Sequence, residues 1–99
     1  MADMHVLALE IRLRFPHAQS LKEKRSVLNS VLDRLPRLGV SVSEVGDQDL
    51  HDLGRIGIVT VSGSARQAEE VIDEAERVVW GRPGLEVLSG ERVWLEVDR

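Results

Sequence analysis

The residues best suited to chemistry in this sequence are six side chains that carry or can gain a positive charge around the start of a predicted helix. They are Arg12, Arg14, His17, Lys22, Lys24 and Arg25. Guanidinium and ammonium groups bind phosphate oxygens, and the free backbone N–H groups of a helix start attract anions. This set predicts a weak site for RNA phosphates, for the ribosome or for a small anion.

The same segment also fits a purely structural interpretation. Ser20 and Glu23 have the S-x-x-E spacing of a capping box, in which the side chain of each residue accepts a hydrogen bond from the backbone N–H of the other. The preceding residues 16–20 contain no glycine, although phosphate-binding loops usually do. The Ser20–Arg25 run is therefore either a binding site or only a well-capped helix start.

An acidic segment over 47–52 contains Asp47, Asp49, His51 and Asp52. Oxygen ligands at alternate positions are typical of calcium loops, but the glycine and glutamate of an EF-hand loop are missing. Aspartates at such positions more often form turn hydrogen bonds. We predict no metal site and no cofactor.

Catalytic patterns are weak throughout the chain. There is no cysteine, and the serines have no His–Asp partners at a suggestive spacing. Ser20 and Ser64 are better explained as helix caps. We predict that the protein is not an enzyme.

The hydrophobic periodicity changes in an ordered way along the chain. Residues 4–15 alternate between an apolar and a more polar face, and helical spacing follows until Pro36 and Gly39. The predicted elements are strands over 4–15, 40–45, 55–62 and 85–97, a helix from 21 to 35–38, and a helix between Ser64 and Gly81. The last strand is expected to be bulged at Ser89-Gly90.

This order, β-α-β-β-α-β, predicts one α+β domain over residues 1–99 with a ferredoxin-like two-layer fold. Two amphipathic helices can cover only one face of a four-stranded antiparallel sheet. The other face stays open unless a partner covers it.

The open face is expected to carry an apolar surface. The third strand is apolar on both sides, with Ile56 and Ile58 facing one way and Val59 and Val61 the other. We expect the interface of a homo-oligomer to contain Val6, Ala8, Val59, Val61 and Trp94. In the alternative, side chains of the last strand fold over a small exposed patch. Trp80, at the end of the second helix, is expected to close the edge of the core.

Composition excludes several classes of protein. The 99 residues have a net charge of −4, which argues against general nucleic-acid binding and against DNA in particular. Residues 1–38 nevertheless hold seven Lys or Arg against four Asp or Glu, so a local basic patch is compatible with the total. No apolar stretch approaches a membrane helix, and Met1-Ala2-Asp3-Met4 does not resemble a signal peptide. We expect a cytoplasmic protein without a membrane partner.

Two segments carry a family resemblance. The first segment is Ser20-Leu21-Lys22-Glu23-Lys24-Arg25, followed by Leu28. The second is Val40-Ser41-Val42-Ser43-Glu44-Val45, followed by Asp47, Gln48, Asp49 and Leu50. Together they resemble the YlxP-like family of small bacterial proteins of unknown function. The sequence departs from the family pattern at Leu38-Gly39, Ser43 and His51. The resemblance implies a ferredoxin-like fold and a setting near translation or ribosome maturation.

Overall fold

A computed structural model describes residues 3–95. Its elements are β1 (His5–Arg14), α1 (Leu21–Arg34), a 3₁₀ turn (Leu35–Leu38), β2 (Ser41–Gly46), β3 (Leu53–Ser62), α2 (Ala65–Trp80) and β4 (Glu86–Leu95). This order confirms the predicted β-α-β-β-α-β pattern. Residues 96–97 of the predicted last strand lie outside the described residues.

The four strands form one antiparallel sheet in the order β2-β3-β1-β4. The long strands β1 and β3 lie in the centre, and the edges are β2 and β4. This arrangement is compatible with the ferredoxin-like two-layer sandwich expected from the sequence.

The hydrophobic core lies between the helices and one face of the sheet. Alternation places Leu7, Leu9, Ile11 and Leu13 of β1 there, and Phe15 follows directly after the strand; each is at most 1% exposed. Ile56 and Ile58 of β3 lie on the same side, together with the buried stripes of both helices. Within residues 3–95, both helices pack on the core side, and no helix covers the face on which Val6 and Ala8 lie.

Capping determines where the helices begin and end. Ser20 and Ser64 have extended backbones, and their hydroxyls accept from Glu23 N at 3.1 Å and Gln67 N at 3.3 Å. Pro36 lacks an N–H group, so the chain continues α1 only as a 3₁₀ turn. Gly39 then reverses the chain in the left-handed region, at φ 87°.

Two sequence expectations differ from the structure. The irregularity in β4 is at Leu88, because the pairing passes from Arg12–Ser89 to Leu13–Val87 and leaves Leu88 between them. Trp80 does not close the core, since it is 61% exposed at the end of α2. Neither helix within residues 3–95 is both long and apolar enough to span a bilayer.

Candidate functional site

The start of α1 provides its own anion. The carboxylate oxygen Oε2 of Glu23 accepts from the backbone N–H of Gln19 at 2.6 Å, while the Ser20 hydroxyl accepts from Glu23 N. A carboxylate at a helix N-terminus is favourable because the backbone dipoles sum to a positive end there. Glu23 thus places a negative charge of the protein's own beside this helix start.

Lys24 is buried rather than presented to solvent. It is 1% exposed, and its ammonium group donates to the carbonyl oxygens of Asp47 and Leu50, both at 2.7 Å. The same group lies 5.9 Å from the centre of the Phe15 ring. The sequence predicts that Lys24 binds an anion or RNA phosphate, but in the structure its charge is directed into the molecule and its donors are used by carbonyl groups.

Gly54 makes room for this buried charge. A Cβ at position 54 would lie 2.9 Å from a ring carbon of Phe15 and 3.7 Å from Cε of Lys24. Desolvation by burial lowers the pKa of Lys24, while the nearby carboxylate of Glu44 acts in the opposite direction. The ammonium group therefore interacts with two carbonyl groups and the face of the Phe15 ring as well as with the nearby carboxylate of Glu44.

Arg25 faces a carboxylate on the adjacent strand. Its Nη1 lies 2.6 Å from Oε1 of Glu44, whose side chain is only 11% exposed. The second oxygen of Glu44 is buried and has no hydrogen-bond partner among the described residues. The charge of Arg25 is thus already balanced, and removal of Arg25 would leave a buried carboxylate unpaired.

The two segments that carry the family resemblance contact each other. Lys24 and Arg25 bind the segment that begins at Glu44, and Nδ1 of His51 lies 3.0 Å from the carbonyl oxygen of Ala18. Phe15 also donates its N–H to the Asp52 carbonyl at 2.8 Å. The Ser20–Arg25 run therefore fixes the 47–52 connection against the start of α1. One sequence signal pointed to this: Lys24 precedes Leu28, Val31 and Leu35 at helical spacing, on the buried stripe.

The remaining cationic candidates lie on two different sides of the molecule. His17 and Lys22 are exposed before and within the first turn of α1. Arg12 and Arg14 are exposed on β1 with the parity opposite to Leu13, which places them on the open face of the sheet. Arg12, Arg14, His17 and Lys22 thus remain candidates for anion or RNA binding, whereas Lys24 and Arg25 are bound within the protein.

The open face has an apolar end. Val6 pairs with Val61 and with Leu95, while Ala8 pairs with Val59 and with Val93. Residues that are directly opposite in a sheet share a face. We define these six as the apolar patch: Val6, Ala8, Val59, Val61, Val93 and Leu95. Val61, Val93 and Leu95 are 61%, 54% and 49% exposed.

Trp94 is not part of this patch, contrary to the sequence prediction. It pairs with Leu7, so its side chain lies on the helix side of the sheet. Its ring contacts His5 edge-on, with ring centres 6.5 Å apart and planes at 80°. Two residues earlier on the same side, Arg92 binds Asp73 and Glu76 of α2, both at 2.8 Å.

The other end of the open face is charged. Arg12 pairs with Arg55, and Nη1 of Arg55 lies 3.1 Å from Oε1 of Glu10. Glu10 is also directly opposite Glu91 on β4. The open face of the sheet therefore carries the apolar patch at one end and both positive and negative side chains at the other.

Among the residues described, no group of three or more His, Asp or Glu is arranged to hold a metal ion. The acidic segment over 47–52 instead forms a turn. Its Leu50 N–H bonds to the Asp47 carbonyl at 3.1 Å, and Asp47 has a φ of 60°.

Comparison with known sequences and structures identifies several similar proteins. A family model described as "Protein of unknown function (DUF503)" matches residues 6–92. The "Uncharacterized protein YlxP" of Bacillus subtilis (strain 168) is 39% identical over 78 residues, which are 78% of this chain and 85% of that protein. The "De novo designed protein Foldit4" has a TM-score of 0.55 at 13% identity, with 98% of this chain and 100% of that chain covered, which shows the fold alone. A C-terminal segment of the alpha subunit of aIF2 from Pyrococcus abyssi has a TM-score of 0.48 at 19% identity, with coverage of 98% and 52%.

Proposed function

The chain belongs to the DUF503 family of proteins of unknown function, and from its surfaces we propose that it is a non-catalytic module that associates with a second copy of itself. The observation that carries the proposal is the apolar patch on the open sheet face. Three of its six side chains are about half exposed or more, and they lie side by side across β3, β1 and β4. Contiguous apolar surfaces of this kind are commonly association sites.

A second copy suits this face better than an unrelated partner does. In a two-fold interface the same surface is presented twice, so an apolar patch meets an apolar patch. The charged end beside it carries both signs, with Arg12 and Arg55 next to Glu10 and Glu91. A rotated copy whose charged end lies against this one can therefore pair arginines with glutamates beside the shared apolar patch.

The non-catalytic part of the proposal rests on how the reactive side chains are used. Ser20 and Ser64 accept backbone N–H groups at the helix starts, and the Lys24 ammonium binds two carbonyl oxygens. Each of these groups has a structural role that accounts for its position. A cytoplasmic setting and a link to translation are further parts of the proposal, and they derive from the family resemblance.

The test is the mass of the protein in solution, measured by light scattering over a wide range of concentration. We expect a dimer whose fraction rises with concentration and changes little with salt, because the centre of the interface is apolar. A monomer at high concentration in both low and high salt would contradict self-association.

A second candidate function is RNA or ribosome binding through the charged end of the open face. The favouring observation is that Arg12 lies directly opposite Arg55, with Arg14 next on the same side of β1. The test is binding to ribosomal RNA at increasing salt, with the variant Arg12→Glu compared with Arg66→Glu on the exposed side of α2. Binding that falls with salt and is lost only in Arg12→Glu would support this candidate, whereas equal binding by both variants would remove it.

A further inference from the structure

We propose that the groove between α1 and α2 binds a small phosphorylated molecule through three arginines. The groove has a volume of about 390 Å³. Its polar lining includes Ser30, Arg34, Glu74, Arg77 and Arg82, with Pro83 beside them. It lies in the helix layer, on the side of the sheet opposite the apolar patch, so this inference is independent of self-association.

Two of the arginines are already oriented. Arg82 donates from Nε to the Ser30 hydroxyl at 2.6 Å and from Nη1 to the Pro83 carbonyl at 3.0 Å. Arg77 donates from Nε and Nη2 to Oε2 of Glu74, at 3.1 and 2.6 Å. In each guanidinium the third nitrogen has no partner among residues 3–95. Donors that are fixed before binding lose less conformational entropy when a ligand arrives.

Arg34 supplies a charge that is not balanced within the groove. It lies in the last turn of α1 and makes no ion pair with the rest of the described chain. With Arg77 and Arg82 it gives three positive charges against the single carboxylate of Glu74. The groove is thus locally positive although the whole protein carries −4.

The end of α2 opposes an anion, but two of its last four carbonyl groups already accept hydrogen bonds. The Gly81 N–H bonds to the Arg77 carbonyl at 3.0 Å, and the Arg82 N–H bonds to the Val79 carbonyl at 3.2 Å. Carbonyls that already accept a hydrogen bond contribute less of the negative end of the helix. The side-chain cations therefore dominate the charge of this groove.

The arrangement favours a phosphate over a single carboxylate. One guanidinium can satisfy a carboxylate with two parallel hydrogen bonds. A phosphate group offers more acceptor oxygens and up to two charges, which can engage several guanidinium groups at once. We assign the groove to small molecules that carry a phosphate or pyrophosphate group.

The experiment is isothermal titration calorimetry of the full chain with pyrophosphate at low ionic strength, for the wild type, Arg34→Gln and Arg66→Gln. Arg66 is the matched control, because it is an exposed arginine in α2 and pairs with Glu70 outside the groove. We expect about one pyrophosphate per chain, binding weakened about tenfold by Arg34→Gln, and no change in Arg66→Gln. In the wild type, the amide NMR signals of Gly81 and Arg82 should shift on binding.

Three outcomes would overturn the inference: no binding by the wild type, equal binding by the two variants, or amide shifts confined to residues 17–25. Circular dichroism would verify that Arg34→Gln folds, which we expect because Arg34 is exposed. A monomeric protein that still binds pyrophosphate in this groove would support this inference while contradicting self-association. The two proposals therefore fail separately.

Discussion

Substitution of Val61 by aspartate tests the apolar patch most directly. Val61 is the most exposed patch residue, at 61%, and it lies beside Val6 on the open face of the central strand β3. Because its side chain points away from the core, the substitution should leave the fold intact. We expect the free energy of unfolding of the isolated chain to fall by about 1 kcal/mol, because the two-fifths of the valine that is already buried is lost.

The effect on association follows from the area still exposed. Complete burial of a valine side chain contributes about 1.5–3 kcal/mol, so burial of the remaining three-fifths of Val61 contributes about 1 kcal/mol. A two-fold interface contains this residue twice, which gives about 2 kcal/mol, or about a 30-fold weaker dimer. A buried carboxylate without a partner adds a further cost in the same direction.

The assay is sedimentation equilibrium or light scattering of Val61→Asp beside the wild type. Leu21→Asp is the matched control, since Leu21 is 45% exposed on α1 and the substitution adds the same charge away from the sheet face. We expect the dimer dissociation constant to rise at least 30-fold in Val61→Asp and to stay unchanged in Leu21→Asp. Equal dissociation constants for the two variants would refute the assignment of the open face as the interface.

Three further predictions concern the buried lysine and its surroundings. Lys24→Met should lower the free energy of unfolding in urea by about 2–4 kcal/mol, because two carbonyl groups of the 47–52 connection lose a charged donor; an unchanged urea midpoint would contradict this structural role. Burial lowers the pKa of Lys24 below its ordinary value of 10.5. Between the lowered pKa and 10.5, the unfolded chain therefore binds more protons at this residue than the folded chain does. The free energy of unfolding of the wild type, relative to that of Lys24→Met, should consequently rise with pH in this window. Urea unfolding at stepped alkaline pH measures this difference, and a fall with pH would contradict the sign. Gly54→Ala should destabilise the protein by about 1–3 kcal/mol, because the new Cβ would lie 2.9 Å from the Phe15 ring. In the control Gly63→Ala, the new Cβ has no contact closer than 3.8 Å, and stability should change by less than about 1 kcal/mol. Equal losses of stability in the two variants would contradict the close packing at Gly54.

Because Lys24 is buried, substitution of Lys24 and Arg25 would not be a clean test of RNA binding at the start of α1. Replacement of Lys24 and Arg25 by glutamates would place acids beside the carbonyl groups and the carboxylate that those cations now bind. A loss of RNA binding in such a variant would report a disturbed α1 start rather than a lost contact. Lys22, which is exposed in the first turn, is the informative position on this side.

Local sequence patterns predict the secondary-structure elements and which side of the central strands is buried. Alternation along β1 and β3 and the caps at Ser20 and Ser64 are local patterns, so they predict strands, helix starts and the buried side correctly. The order of the elements then leaves few topologies, of which the two-layer sandwich is one. Membership of the family was likewise readable from two short segments.

The positions of Lys24 and Trp94 depend instead on the three-dimensional packing of the chain. Lys24 is on the buried stripe of α1, but its charge is stable there only because the chain returns from β2 with two carbonyl groups in reach and Gly54 leaves space. By simple alternation from Val87, which lies on the helix side, Trp94 would lie on the open face. The extra residue at Leu88 moves every later residue of β4 to the opposite face, so Trp94 lies on the helix side. Both outcomes depend on contacts between residues distant in sequence, which a local pattern does not encode.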